Sequence, residues 1–256
     1  MDFMKKYEYW LNSDSIDEKD KEELRGLKDN PKEIEDRFFK DLSFGTGGIR
    51  GVRGIGTNRI NKYVIRKATQ GLANYMLTFN EKEAKEQGII IAHDCRIGSR
   101  EYALNTARVM AANGIKAYIY EDLRSTPELS FGVRYKGTMA GIVVTASHNP
   151  VEYNGYKVYW NDGAQVVDPH ATLIVDEVNK ISTLEEIKVI SEENGREKGL
   201  IIQLDNKIDD DYIKEIKKQT IISEIRGKES FKIVYTPLHG TGGRPMERIL
   251  TDFGYS

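Results

Sequence analysis

The stretch Ala140-Gly141-Ile142-Val143-Val144-Thr145-Ala146-Ser147-His148-Asn149-Pro150 decides the fold. Its first five residues are apolar and rich in β-branched side chains, the pattern of a strand buried on both faces. Asn149-Pro150 must then turn, because Pro150 has no N–H to donate and pushes Asn149 out of helical space. Ser147 is therefore expected on an exposed loop at the C-terminal edge of a sheet, the edge at which open α/β sheets bind ligands. Asn154-Gly155-Tyr156-Lys157 follows directly and adds an ammonium to the hydroxyl of Ser147 and the imidazole of His148.

Outward from this strand, apolar runs alternate with amphipathic stretches. Residues 47–53 read as a strand and loop, 60–77 as a helix and 88–92 as a buried strand. A helix over 100–112 is stopped by Asn113-Gly114, a C-terminal signal. Residues 115–120 form a strand, Thr126-Pro127 opens a helix that ends near Gly137, and 139–144 is the strand that delivers Ser147. This order predicts an α/β fold: a mixed, mostly parallel sheet covered by helices. Residues 157–160 and 165–167 read as a β-ribbon turned by Asp162-Gly163, and a helix follows from His170. Residues 1–42 read as a helical extension, with Asp14 or Ser15 as a cap and Pro31 as the first residue of a helix. The charge-dense stretch 182–199 reads as a linker. Residues 43–200 are then the main domain, and 201–256 an incomplete second α/β domain with a helix over 208–219, a strand over 231–235 and a helix over 244–253.

The chain has 256 residues, 39% hydrophobic and 30% charged, with a formal net charge of −2. That balance argues against nucleic acid or an anionic membrane as the main partner. Cys95 is the single cysteine, so no intrachain disulfide can form and a reducing, cytoplasmic setting is expected. No apolar run approaches the ~18–20 residues needed to span a bilayer, and the first residues do not read as a signal peptide.

Ser147 could act as a nucleophile, carry a phosphate or cap a turn. A hydrolase nucleophile elbow wants glycines two residues before and two after the serine; Thr145 and Asn149 stand there instead. A phosphate carrier fits better, because phosphoserine brings roughly −1.5 to −2 charges and Lys157 offers a cation. An imidazole beside it can exchange protons near neutral pH. Arg50 lies in a glycine-rich segment whose backbone amides can approach an anion while the guanidinium grips phosphate oxygens. Asp94 and Arg96, alternating at a strand end, read as a structural ion pair.

Thr145 to Pro150 with Asn154 to Lys157 resembles the active-site loop of the α-D-phosphohexomutases, the phosphoglucomutase and phosphomannomutase superfamily. Phe44-Gly45-Thr46-Gly47-Gly48-Ile49-Arg50-Gly51 is similar to its Phe-Gly-Thr-x-Gly-Ile-Arg-Gly segment. Asp94-Cys95-Arg96-Ile97-Gly98-Ser99 is similar to its Asp-x-Arg-x-x-Ser segment. Thr236-Pro237-Leu238-His239-Gly240 resembles the segment that opens its second domain. The residues around Tyr156 to Trp160 look closest to the longer phosphoglucomutase–phosphopentomutase branch.

The resemblance implies a phosphosugar mutase that interconverts 1-phospho and 6- or 5-phospho sugars through a phosphoserine and a bisphosphate intermediate. It implies Ser147 as the phosphate carrier, His148 as the acid/base group, and Arg50 and Lys157 as its cations. It also implies Thr46, Gly47, Asn149 and His239 as substrate or phosphate contacts. Mg²⁺ is implied as cofactor, bound through the Ser147 phosphate and an Asp-x-Asp-x-Asp-Arg loop, and a glucose 1,6-bisphosphate-type molecule as activator. That aspartate loop does not occur in this sequence, nor do the family's later sugar-recognition and distal phosphate segments. The chain is therefore expected to be a fragment or a truncated product, inactive alone and prone to self-association through its incomplete second domain. The alternative is a non-catalytic fragment that binds sugar phosphates or a partner.

Overall fold

Three helices open the chain: α1 (Phe3–Asn12), α2 (Glu18–Arg25) and α3 (Pro31–Phe38). They are followed by β1 (Gly48–Val52), α4 (Lys62–Gln87), β2 (Ile89–His93), α5 (Ser99–Ala112), β3 (Ala117–Ile119), α6 (Thr126–Lys136), β4 (Ala140–Val144) and β5 (Tyr153–Trp160). The remainder contributes α7 (His170–Lys180), α8 (Glu192–Glu197), β6 (Ile201–Gln203), α9 (Lys207–Lys218) and α10 (Gly243–Asp252). The computed structural model describes residues 2–45, 47–222, 225 and 227–255.

All six strands form one sheet in the order β1-β5-β4-β2-β3-β6. β2 pairs in parallel with β3 and with β4, β6 pairs in parallel with β3, and β5 runs antiparallel to both β4 and β1. The chain steps from β2 to β3 in one direction and from β3 to β4 in the other. Two right-handed crossovers of opposite direction must place α5 and α6 on opposite faces. The packing agrees. One core joins α4, α5 and α7 to the sheet through Leu72, Met76, Ala107, Met110, Ile142 and Ile174. The other joins α6 through Ile90, Leu129, Val133 and Val143. Ile89, Ile90 and Ile91 are each 0% exposed; burial of such a side chain contributes about 1.5–3 kcal/mol.

The α/β expectation therefore holds, with local departures. The helix expected to end near 77 continues to Gln87, interrupted at Asn80 (φ −160°, ψ 96°). Asn80 Oδ1 accepts from the Glu83 amide at 3.2 Å and so caps the second segment. The ribbon expected over 165–167 is reduced to one bridge, Tyr159 to Gln165, because past that pair the chain turns into α7. The stretch 182–199 is not a free tether. The Ile190 carbonyl accepts from Arg108 Nε at 2.7 Å, and the Lys188 amide donates to Gln70 Oε1 at 3.0 Å. β6, which the sequence places at the start of a second domain, instead extends the main sheet. The reason is the ladder: the outer edge of β3 carries backbone donors and acceptors, and β6 satisfies them.

Beyond β6, α9 packs on α6, and α10 meets α9 through polar contacts, Arg248–Asp210 at 2.6 Å and Lys217–Asp252 at 2.8 Å. Residues 231–235 were expected as a strand. They belong to no strand, and no described strand pairs with them. Val234 is 99% exposed, and Phe231, Ile233 and Tyr235 line an open apolar groove against α10. No helix among the described residues is long and apolar enough to cross a membrane.

The N-terminal helices form a packed accessory layer. Trp10 sits edge-to-face on Phe38 and on Tyr63 of α4, with ring centroids 5.7 and 5.4 Å apart. Tyr7, Leu24, Ile34 and Ile55 complete this cluster. Lys62 pairs with Asp17 and, at 2.8 Å, with Asp20. Glu185 closes the layer from the other side, accepting from Ser13 Oγ and Tyr9 Oη, both at 2.6 Å. These bonds, the serine's first, hold the Glu185 carboxyl down to about 2 from its ordinary 4.5. A depressed folded value contributes stability above pH 4.5 that is lost as pH falls toward about 2. The hydrogen-exchange protection factors of α1–α3, corrected for the intrinsic rate at each pH, are accordingly expected to fall across that window before those of the sheet amides, and Glu185→Gln is expected to weaken this pH dependence while lowering protection at neutral pH.

Candidate functional site

β4 is buried at all five positions, and at its C-terminal end the chain leaves the core. Thr145 and Ala146 remain buried, while Ser147 and His148 are exposed. The Ser147 amide donates to Thr145 Oγ1 at 2.9 Å, and the Asn149 amide to the Ala146 carbonyl at 3.1 Å. This tight turn forces Ser147 to φ 56°, a left-handed geometry that costs a non-glycine residue about 1–3 kcal/mol and persists only where neighbours over-determine it. Ser147 Oγ lies 3.3 Å from His148 Nδ1, so the imidazole is within reach of the hydroxyl proton.

Register brings the cations. β5 returns alongside β4 with Lys157 opposite Val143, and on its other side Lys157 faces Gly48 of β1. Arg50 is opposite Gly155. Arg50 and Lys157 are thus diagonal neighbours on one face of adjacent strands. Gly155 permits the approach: a Cβ there would stand 2.7 Å from the Thr145 carbonyl oxygen and 2.8 Å from that of Ile49. Arg50 Nη1 donates to Asn149 Oδ1 at 2.8 Å, tying β1 to the serine loop. Lys157 makes no ion pair among the described residues; partial burial first, and the Arg50 charge second, lower its pKa. The arrangement is an open sheet edge with an exposed hydroxyl and two cations that make no ion pair among the described residues, suited to an anion that reaches Ser147 Oγ.

The other expected site residues fall unequally. Asn149 belongs to the loop. Gly47 lies at the head of β1; its amide donates to the Gly45 carbonyl at 2.7 Å, and its carbonyl accepts from the Val158 amide at 3.0 Å. Thr46 lies outside the described residues. His239, at φ 62°, sits in the turn before α10 and makes no hydrogen bond with the serine loop among the described residues. His170 opens α7 as expected and stacks on Trp160 at 4.4 Å, with Tyr75 Oη 2.6 Å from its Nδ1. The residue most under-read is Arg96: besides facing Asp94 Oδ2 at 3.4 Å, its guanidinium lies inside the serine loop. Its partners there are backbone carbonyls, which leave no mark in a sequence.

Mg²⁺ wants near-octahedral oxygen donors. Among the described residues no group of three or more His, Cys, Asp or Glu gathers. Around Ser147 the inward-facing carbonyls and the Asp94 carboxylate are already engaged by Arg96. These residues do not fit the metal by themselves.

An α/β/α layer thus carries an exposed serine hydroxyl at the same sheet edge as Arg50 and Lys157. Comparison with known proteins shows the family. Residues 41–185 match the family described as phosphoglucomutase/phosphomannomutase, alpha/beta/alpha domain I; the chain belongs to this family. It is 39% identical over 208 residues to a phosphoglucomutase of Staphylococcus haemolyticus, covering 81% of this chain and 36% of that protein. It is 37% identical over 236 residues to a phosphoglucomutase of Staphylococcus aureus, covering 91% and 41%. The chain thus spans about two fifths of the length of these relatives. Among solved structures, the Paramecium pp63/parafusin phosphoglucomutase in its open form superimposes with a TM-score of 0.65 at 20% identity, covering 85% of this chain and 43% of that one. A phosphoglucomutase/phosphomannomutase family protein of Burkholderia thailandensis gives 0.57 at 19%, covering 83% and 42%. At those identities the structural likeness concerns the fold.

Two outcomes test this geometry. Gly155→Ala places a methyl group against two backbone carbonyls that cannot yield cheaply; it is expected to destabilise the chain by about 1–3 kcal/mol in denaturant unfolding. On ¹³C-methylated protein, Lys157 is expected to titrate below its ordinary 10.5. Because the ammonium is the anion-binding form, inorganic phosphate is expected to raise that titration, and affinity for phosphate to fall as pH rises through it. Arg50→Gln is expected to shift the free-state titration upward.

Proposed function

We propose that this chain carries the phosphoryl-accepting serine of a phosphosugar mutase that interconverts 1-phospho and 6- or 5-phospho sugars. The observation that supports the reading is the joint placement of Ser147, His148, Arg50 and Lys157 at one sheet edge, in a chain of this family. In the proposed step, Ser147 Oγ attacks the phosphorus of a sugar bisphosphate. The bond from phosphorus to the sugar oxygen breaks, and the hydroxyl proton passes to His148. The released sugar oxygen takes up a proton to become a hydroxyl. In the second step the free hydroxyl of a sugar monophosphate attacks the phosphorus of the phosphoserine and gives up its proton, while the bond from phosphorus to Ser147 Oγ breaks and His148 returns a proton to that oxygen. Arg50 and Lys157 hold the charge on the equatorial oxygens, and positioning plus charge stabilisation account for most of the catalysis of such transfers.

A glucose 1,6-bisphosphate-type molecule is the phosphoryl source in this reading, sugar phosphates are the substrates and the setting is cytoplasmic. Gly47, Asn149, Thr46 and His239 are proposed as further contacts to substrate or phosphate. No metal step is assigned to the residues described. We propose that the main domain runs on from β1 through α9 and that α10 belongs to a second one. The exposed apolar groove along 231–235 supports self-association of the isolated chain.

A second reading is favoured by one observation, the lack of a carboxylate cluster among the described residues: the chain binds sugar phosphates without turning them over. Incubation with glucose 1,6-bisphosphate followed by intact-mass measurement separates the two. The mutase reading expects one added phosphate, located at Ser147 and absent in Ser147→Ala. Binding of glucose 1-phosphate by calorimetry with no covalent uptake would select the second reading.

A further inference from the structure

Both terminal nitrogens of the Arg96 guanidinium are committed to the serine loop. Nη1 donates to the carbonyls of Pro150 at 2.8 Å and Tyr153 at 3.1 Å. Nη2 donates to those of Ser147 at 2.8 Å and Asn149 at 2.6 Å. Nε faces Asp94 Oδ2 at 3.4 Å. Four carbonyl oxygens from one short segment therefore converge on one planar cation, and the loop is wrapped around it. Without that charge the four carbonyl dipoles would repel one another.

Arg96 is itself held. Asp94 Oδ1 accepts from the Arg96 amide at 2.9 Å and from Ser99 Oγ at 2.6 Å. Ser99 Oγ in turn accepts from Asn154 Nδ2 at 2.9 Å, and Asn154 Oδ1 accepts from the Gly155 amide at 2.8 Å. Ser99 and Asn154 are both 0% exposed. The circuit thus runs from the end of β2 through the start of α5 to β5, and encloses the loop from three sides.

We propose that Arg96 is a positioning residue that sets the left-handed geometry of Ser147 and aims its hydroxyl outward, with Asp94, Ser99 and Asn154 as its frame. It is not assigned as a phosphate ligand, because both terminal nitrogens are taken by loop carbonyls and Nε faces Asp94. Arg50 and Lys157 keep that task. The strain at Ser147 is offset by the carbonyl of the same residue, which Nη2 holds. Lysine cannot replace this arginine: an ammonium offers three donors from one atom, whereas the guanidinium offers five in a flat fork. The chemical consequence rests on the mutase reading; the geometric claim does not.

The test compares the parent 256-residue chain with Arg96→Lys and Asp94→Asn. Hydrogen exchange is read separately over residues 145–155 and over β2–β4, and Ser147 phosphorylation by glucose 1,6-bisphosphate is followed by intact mass. In Arg96→Lys the sheet amides are expected to stay protected while loop amides exchange at least about tenfold faster. The maximal rate of phosphoryl uptake is expected to fall about 100-fold, the size of effect that small misplacement produces, with the half-saturating bisphosphate concentration little changed. Asp94→Asn keeps the guanidinium and loosens its frame, so a smaller change of the same kind is expected. Loop exchange equal to the parent in a folded Arg96→Lys overturns the proposal. So does loss of sheet and loop protection together in both variants, which would mark a general structural role. If the parent takes up no phosphate, the mutase reading fails while the loop exchange still decides the role of Arg96.

Discussion

The antiparallel return of β5 between β4 and β1 is the constraint on which the site depends. β4 delivers Ser147 to the sheet edge, but β4 alone brings no charge with it. Because β5 pairs on both sides, Lys157 sits across from Val143 and from Gly48 at once, and Arg50 is drawn level with the loop. A one-residue slip in this register would turn Lys157 and Arg50 to the other face. Register is strongly specified here because Tyr156, 0% exposed, occupies the alternate face of β5, where its hydroxyl meets Thr69 Oγ1 at 3.1 Å.

Charge at this edge is divided by function. Arg96 is spent on carbonyls and on Asp94. Among the described residues the Arg50 side chain makes one hydrogen bond, 2.8 Å to Asn149, and Lys157 is left without an ion pair. Cations held this way are preorganised for an arriving anion, because their positions are fixed by the sheet before any ligand binds. Burial first, and the like charge of Arg50 second, lower the pKa of Lys157.

The accessory helices and the segment 182–199 show how polar sequence can conceal tertiary structure. Glu185 lies in a charge-rich run that reads as a tether, yet its carboxylate gathers Tyr9, Ser13 and Ser15. Residues 231–235 show the converse. Their apolar alternation reads as a strand, but a strand exists only as part of a ladder, and the described residues supply none. β6, by contrast, joined the main sheet by pairing along the outer side of β3.

The buried strand, the turn at Asn149-Pro150, the helix starts at Pro31 and Thr126 and the serine loop with its histidine and lysine were legible in the sequence. Each is governed by local rules: β-branched runs, the missing N–H of proline, capping side chains and short spacing. The pairing of Arg50 with the loop, the strand order, the place of β6 and the task of Arg96 were decided only by tertiary structure. Those depend on backbone groups far apart in the chain, and a carbonyl carries no residue identity by which a sequence could announce it.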